Sequence, residues 1–198
     1  LYTAMADVAG ATGDEALMDA CRALWQSITQ RRMYITGGIG STANGEAFTT
    51  DYDLPNDTVY AETCASISLM FFARAMLENE HRGEYADVME QAFYNMVLAG
   101  MQLDGKRFFY VNPLEVIPGV SGVISTHRHV LPTRPQWYAC ACCPPNVART
   151  VSSLGAYAYS ENDDTFFIDL YAGGTVQTQK GLRLTCRTGF PYDGAVRY

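Results

Sequence analysis

No stretch of this chain is long and apolar enough to cross a membrane as a helix, which takes about 18 or more consecutive apolar residues. Basic runs are equally scarce. The longest is Arg31-Arg32, and the formal charge is -7. Phosphate contacts need clustered Lys and Arg, so a nucleic-acid partner is not expected. No charged segment, apolar core and cleavage site open the chain, so no signal peptide is read. The opening on Leu1, already inside a helical pattern, suggests an N-terminus that is not native. Internal repeats and low-complexity runs are missing too. What is present is apolar: 48% of the 198 residues are hydrophobic and 12% aromatic, enough for a real core in one domain, or one domain plus part of another.

Six cysteines are spread unevenly, as Cys21, Cys64, Cys140, Cys142, Cys143 and Cys186. Three fall within four residues, and no scaffold-like spacing repeats. Reduced thiols, some in a metal site and some buried, are therefore expected rather than a disulfide framework, and a cytoplasmic location with them.

Apolar spacing predicts a helix over 14–32, with Leu17, Cys21, Leu24, Trp25 and Ile28 on its stripe and Asp14 and Glu15 at its start. A short extended piece, 33–36, runs into the glycine-rich loop 37–41, and 41–60 reads as a long polar loop. Helices over 61–80 and 84–100, joined at His81-Arg82-Gly83, predict an antiparallel helical hairpin. Residues 102–111 read as a β-hairpin turning at Asp104-Gly105. The proline-rich 112–136 reads as loop, and 146–157 as helix opened by Pro144-Pro145. From there the character changes: 165–170 and 182–187 alternate like strands. A boundary is placed near 157, with a partial helical domain over 1–156 and the beginning of a sheet domain over 157–198.

Three blocks carry chemistry. In Cys140-Ala141-Cys142-Cys143-Pro144-Pro145-Asn146 the thiols are soft ligands suited to zinc, but zinc-finger spacing is lacking, and buried or redox-active cysteines are the alternative. Glu62-Thr63-Cys64 places a carboxylate and a thiol at a helix start; a dipole-favoured Glu beside a core Cys explains it equally. Gly37-Gly38-Ile39-Gly40-Ser41 followed by Asn44-Gly45-Glu46 lacks both the P-loop Lys and the dinucleotide fingerprint, so nucleotide binding is rejected. A flexible loop presenting Glu46 to a pocket is the functional reading, and a solvated loop carboxylate the bland one.

Together these blocks resemble glycoside hydrolase family 127, the β-L-arabinofuranosidase-like enzymes. The resemblance rests on Tyr34–Ser41, Asn44-Gly45-Glu46-Ala47-Phe48, Ala61–Ser66 and Cys142-Cys143-Pro144-Pro145-Asn146, in the family's order and over nearly the whole chain. It implies a mainly α fold: part of an α/α toroid of the six-hairpin type, followed by the start of a β-sandwich domain. It implies a zinc ion on Glu62, Cys64, Cys142 and Cys143, with Cys142 as nucleophile and Glu46 as acid/base. The implied activity is a retaining exo-glycosidase that releases terminal L-arabinofuranose from a small carbohydrate substrate. A thiolate replacing the usual nucleophilic carboxylate is chemically sound, because a bound cation keeps it deprotonated.

Further pocket candidates are His127 and His129 for sugar hydroxyls, Tyr110, and Trp137 as a stacking platform. Each has a bland counterpart, a loop histidine or a packed aromatic. Cys140 is expected to be a bystander, and Cys21 and Cys186 core residues. Oligomeric state is open, with a homo-oligomer among the expected forms. Two other functions compete. A helical carbohydrate-binding or scaffold protein with a structural zinc site would have no need of Glu46. A thiol redox protein cycling Cys142 and Cys143 would be indifferent to chelators.

Overall fold

The computed structural model describes residues 1–198. The chain forms two compact units, Leu1–Val147 and Ala148–Tyr198.

The first unit is helical. Helix α1 (Tyr2–Thr12) ends at Gly13, whose φ of 69° closes it in the left-handed conformation. Helix α2 (Glu15–Arg31) is capped by Asp14, whose side chain accepts from the Leu17 amide at 3.0 Å. Its buried residues Met18, Cys21, Trp25 and Ile28 form one stripe at helical spacing. Helix α3 (Thr63–Glu80) is the centre of the unit: ten of its residues are buried, and it packs against both α1 and α4 (Gly83–Ala92). Trp25 meets the Phe72 and Tyr85 rings edge-on, locking α2, α3 and α4 together. At the rim of this contact Glu80 accepts hydrogen bonds from Arg22 and from the Tyr85 hydroxyl.

Helix α4 continues through a π-helical segment, Phe93–Leu98, to Gly100. The expected helical hairpin therefore forms, with its second arm widened. The expected β-hairpin at 102–111 does not become a ladder. Gln102 and Arg107 pair around the Asp104-Gly105 turn, and Met101 bridges Phe108. The Phe109 amide, donating to the Gly100 carbonyl, completes that bridge; beyond it the backbone turns to other partners, the Tyr110 carbonyl accepting from the Thr63 amide and the Asn112 amide donating to the Ala61 carbonyl. A strand whose hydrogen-bonding groups are already committed cannot extend a two-stranded ladder.

The connection from α2 to α3 is the long loop expected. Arg31 and Arg32 both hold Asp51 and close its base. Gly37 sits at φ 83°, and a Cβ there would lie 2.9 Å from the Ala92 amide nitrogen, so only glycine fits against α4.

The proline-rich loop 112–136 is pinned rather than free. His127 bonds Asp57 at 2.9 Å, His129 bonds the Thr58 carbonyl at 3.0 Å, and Arg134 caps the Ala99 and Gly100 carbonyls while lying over the Phe109 ring. Helix α5 (Cys143–Ser152) follows, with Pro144 and Pro145 in its first turn, three residues earlier than periodicity predicts.

The second unit holds α6 (Gly155–Ala158) and five short antiparallel strands: β1 (Tyr159–Glu161), β2 (Phe166–Ile168), β3 (Gly174–Gln177), β4 (Arg183–Thr188) and β5 (Val196–Arg197). β1 pairs with β2, and β3-β4-β5 form a second sheet. The β1–β2 turn is held by Asn162, whose side-chain oxygen accepts from the amides of Asp164 and Thr165. Cys186 is buried on β4 opposite Gly174, a core residue as expected.

Candidate metal centre

Four side chains from two distant stretches converge. Glu62 and Cys64 come from the start of α3, and Cys142 and Cys143 from the start of α5. One ligand atom from each lies within 4.8 Å of all the others. The sulfur of Cys64 is 3.3 Å from that of Cys142 and 3.5 Å from that of Cys143; Cys142 and Cys143 are 3.8 Å apart. The Glu62 carboxylate is 3.4 Å from the Cys142 sulfur.

Local chain geometry explains why Glu62 is available. As the residue before α3 it would ordinarily cap the helix, yet its side chain makes no capping bond. The Thr63 amide is satisfied instead by the Tyr110 carbonyl at 3.0 Å, and the Thr63 hydroxyl donates to the Phe109 carbonyl at 2.8 Å. Asn112 binds the Thr63 hydroxyl and the Ala61 carbonyl from the other side. Ala61, fully buried at φ 38°, turns the chain sharply into the helix. The extended stretch 109–112 thus does the capping, which leaves the carboxylate for the cluster.

On the other side Pro144 and Pro145 lack amide donors that a first turn would leave unpaired anyway, so they fix α5 with Cys142 and Cys143 at its electropositive end. Asn146, one turn on, donates its side-chain amide to the Cys64 sulfur at 3.1 Å.

Without a cation the three thiols of this group cannot ionise together. The Cys64 thiol is brought down to about 7, chiefly by its bond from Cys143, against an opposing effect of burial and with help from Asn146. Cys142 is pushed up to about 12, first by burial and then by its bond with Cys64. Cys143, fully buried, is raised further by its bond to Cys64 and by desolvation. One ionised thiol thus keeps the other two protonated. Two anions about 4 Å apart repel by roughly 4 kcal/mol at an effective dielectric of 20, and a divalent ion reverses that sign for each of them.

The donor set suits such an ion. Tetrahedral zinc with thiolates at about 2.3 Å sets its sulfurs about 3.8 Å apart and a carboxylate oxygen about 3.5 Å from each. The three sulfur–sulfur distances and the Glu62–Cys142 distance lie within about 0.5 Å of these values. None of the six cysteines is in a disulfide.

Beside the thiols lies an aromatic pocket wall. Tyr60, Phe108, Tyr110, Val111 and Cys143 form one buried cluster, with Cys64, Tyr138 and Cys142 packed against it. Tyr110 stands near both expected reactive groups: its hydroxyl donates to Glu46 Oε1 at 3.2 Å, and Cys142 packs against the buried cluster to which it belongs. Tyr60 donates to the same Glu46 oxygen at 2.8 Å. Burial raises both phenols well above their ordinary range, so both stay protonated donors.

Of the other expected pocket residues, His129 stands beside Tyr60, with ring centroids 5.9 Å apart, while His127 turns to Asp57. Trp137 is 69% exposed; its neighbour Tyr138 is the residue that stacks on Tyr110, at 4.6 Å. Cys140 is exposed and outside the cluster. Tyr60, Tyr138 and Asn146 had no role in the sequence reading. Asn146 was findable, one helical turn beyond the cysteines; nothing local marks the two tyrosines.

Comparison with known proteins places this geometry. The profile of the β-L-arabinofuranosidase, GH127 catalytic domain family matches residues 2–156. A non-reducing end β-L-arabinofuranosidase of Bifidobacterium longum subsp. longum is 47% identical over 201 residues, covering 100% of this chain and 30% of that protein. A crystal structure of a GH127 β-L-arabinofuranosidase from Geobacillus stearothermophilus T6 superposes with a TM-score of 0.93 at 54% identity, over 98% of this chain and 31% of that one. A GH127 β-arabinofuranosidase structure gives 0.86 at 37% identity, over 98% and 29%. The chain spans about a third of the length of these relatives.

Proposed function

The chain belongs to the glycoside hydrolase family 127 catalytic-domain family, and on that premise we propose that its protein is a retaining exo-glycosidase releasing terminal L-arabinofuranose from the non-reducing end of a carbohydrate. The observation that carries the reading is that Tyr60 and Tyr110, which hold Glu46, belong to the buried cluster against which Cys142 packs. A thiol and a carboxyl group thereby meet at one aromatic cluster, the pair of groups that a double-displacement glycosidase requires.

In this reading Cys142 attacks the anomeric carbon as a thiolate while the Glu46 carboxyl gives its proton to the departing glycosidic oxygen. The sugar is then held on Cys142 as a thioglycoside. Glu46, now a carboxylate, takes a proton from a water that attacks the same carbon, and the thiolate leaves. Glu62, Cys64, Cys142 and Cys143 would hold zinc, which supplies the positive charge that keeps the thiols deprotonated at neutral pH. Asn146 orients Cys64. The aromatic wall of Tyr60, Phe108 and Tyr138 excludes water from the thiol side; His129, beside Tyr60, and the exposed Trp137, next in sequence to Tyr138, are candidates for sugar contacts.

The same family likeness supports the remaining expectations: an α/α toroid continued by β-sandwich structure, and a carbohydrate as partner. Six unpaired cysteines favour a reducing, cytoplasmic setting. A purely structural zinc site gives no reason for two buried phenols to hold a loop carboxylate, which favours the catalytic reading.

The test is hydrolysis of p-nitrophenyl β-L-arabinofuranoside by the intact, metal-loaded protein. Cys142→Ala should abolish turnover, and mass spectrometry of the quenched parent should find a pentosyl adduct on the peptide carrying Cys142. Turnover by Cys142→Ala, or an adduct elsewhere, overturns the mechanism.

A further inference from the structure

Glu46 stands where a side chain is least controlled. It occupies the tip of the tight turn bridged by Thr42 and Ala47, is exposed, and follows Gly45. Both residues are left-handed, at φ 73° and 52°, a conformation that costs a residue with a Cβ of order 1 kcal/mol or more. Around Gly45 there is open space, so packing of the turn does not aim the carboxylate.

What aims it is a pair of phenols converging on one oxygen. Tyr60 donates to Oε1 at 2.8 Å and Tyr110 to the same atom at 3.2 Å. An oxygen that already accepts two hydroxyl protons is a poor place for a third, so the carboxyl proton resides on Oε2. We propose that Tyr60 is a positioning residue for the acid step: by holding Oε1 it leaves Oε2 as the proton-bearing atom and fixes its direction toward the leaving group. This deepens the reading of Glu46 as acid/base and rests on it.

Tyr60 is built for the task. It is 8% exposed and wedged between the Tyr110 ring, edge-on at 5.9 Å, and the His129 ring, itself held by the Thr58 carbonyl. The next residue, Ala61, donates its amide to the Gly40 carbonyl at 2.8 Å, which ties Tyr60 to the base of the loop carrying Glu46. The two phenols also divide their duties. Tyr110 belongs to the cluster against which Cys142 packs and stacks on Tyr138, so its removal disturbs the surroundings of nucleophile and acid together. Tyr60 serves the acid side, and Tyr60→Phe removes one hydroxyl while keeping the ring in place.

The experiment compares two substrates in the intact, metal-loaded protein. An aryl β-L-arabinofuranoside with a p-nitrophenyl leaving group departs without protonation, whereas a methyl β-L-arabinofuranoside needs it. Tyr60→Phe should lower kcat/KM, which reports the first step alone, roughly 10-fold or more for the methyl glycoside, a fraction of the 10²–10⁴ that a general acid supplies, with kcat/KM for the aryl glycoside near its parental value. Glu46→Gln should show the same selectivity in kcat/KM, more strongly, while its kcat falls on both substrates because the second step also needs Glu46. Metal content, measured alongside, establishes that the Tyr60→Phe site is assembled. Equal loss on both substrates, or no loss, in a metal-loaded Tyr60→Phe protein overturns the positioning role while Glu46→Gln keeps its selectivity. If Glu46→Gln itself treats the two substrates alike, the acid/base reading falls and this role falls with it.

Discussion

Asn146 illustrates how much of the centre depends on residues that never touch the ion. Its amide bonds the Cys64 sulfur at 3.1 Å and so fixes the direction of that lone pair. Outer groups of this kind typically contribute 10–100-fold in metal affinity. Asn146→Ala should therefore weaken zinc binding by about that factor in competition with a chromophoric chelator; unchanged affinity would remove Asn146 from the account. The thiols themselves predict a proton count. Cys64 ionises near 7, whereas Cys142 and Cys143 hold their protons to much higher pH. Metal binding displaces every thiol proton still present. Above pH 7 it should release about two protons per ion, and below pH 7 about three, so affinity falls more steeply on the acid side. Calorimetry in buffers of different ionisation enthalpy reads this number directly. Neither block was decisive by its spacing; the family resemblance singled out Glu62, Cys64, Cys142 and Cys143, and the folded chain brings these four together. Tyr60 and Tyr138 were not legible, because their value arises from contacts with Glu46 and Tyr110 that only the folded chain creates.

Helices announce themselves through periodicity, and α2, α3, and α4 taken with its π-helical continuation to Gly100 lie within a few residues of their expected limits. Two departures have local causes. Helix α3 starts at Thr63 because Ala61 is left-handed, and the 102–111 hairpin stays rudimentary because its second arm is hydrogen-bonded to Thr63 and its continuation to Ala61. Neither was visible as a pattern, since backbone partners distant in sequence leave no periodic mark. At this scale Gly37→Ala is informative. It forces a Cβ to 2.9 Å from the α4 backbone at a positive φ, and should destabilise the protein by about 2–3 kcal/mol in urea titration. A neutral effect would mean that the loop does not press on α4. Glu80 supplies a pH dependence. Burial alone would raise its carboxyl, but bonds from Tyr85 and Arg22 outweigh that and hold it below 4.5. A depressed carboxyl contributes stability that is present above its unfolded pKa and lost as pH falls through the folded value. Glu80→Gln should therefore flatten the decline of melting temperature below about pH 4.5 while lowering stability at pH 7.

The whole molecule joins a helical unit, Leu1–Val147, to a small β unit, Ala148–Tyr198, and the expected change of character near 157 lies inside the second. Composition alone signalled that change, through glycine-rich turns and alternating strands; strands of two to six residues were too short to be read singly. The centre links the starts of α3 and α5, 78 residues apart at the Cys64–Cys142 pair. Closing so long a loop costs entropy that a bound ion offsets. Zinc at about 1,000 times its dissociation constant stabilises the folded form by roughly 4 kcal/mol. Chelation should accordingly lower the melting temperature of the intact protein, and zinc should restore it. Elemental analysis of the reduced, folded protein decides whether Glu62, Cys64, Cys142 and Cys143 form a metal site. About one zinc per chain is expected, diminished by both Cys142→Ser and Glu62→Gln. A folded, reduced parent protein that binds no metal would contradict that assignment.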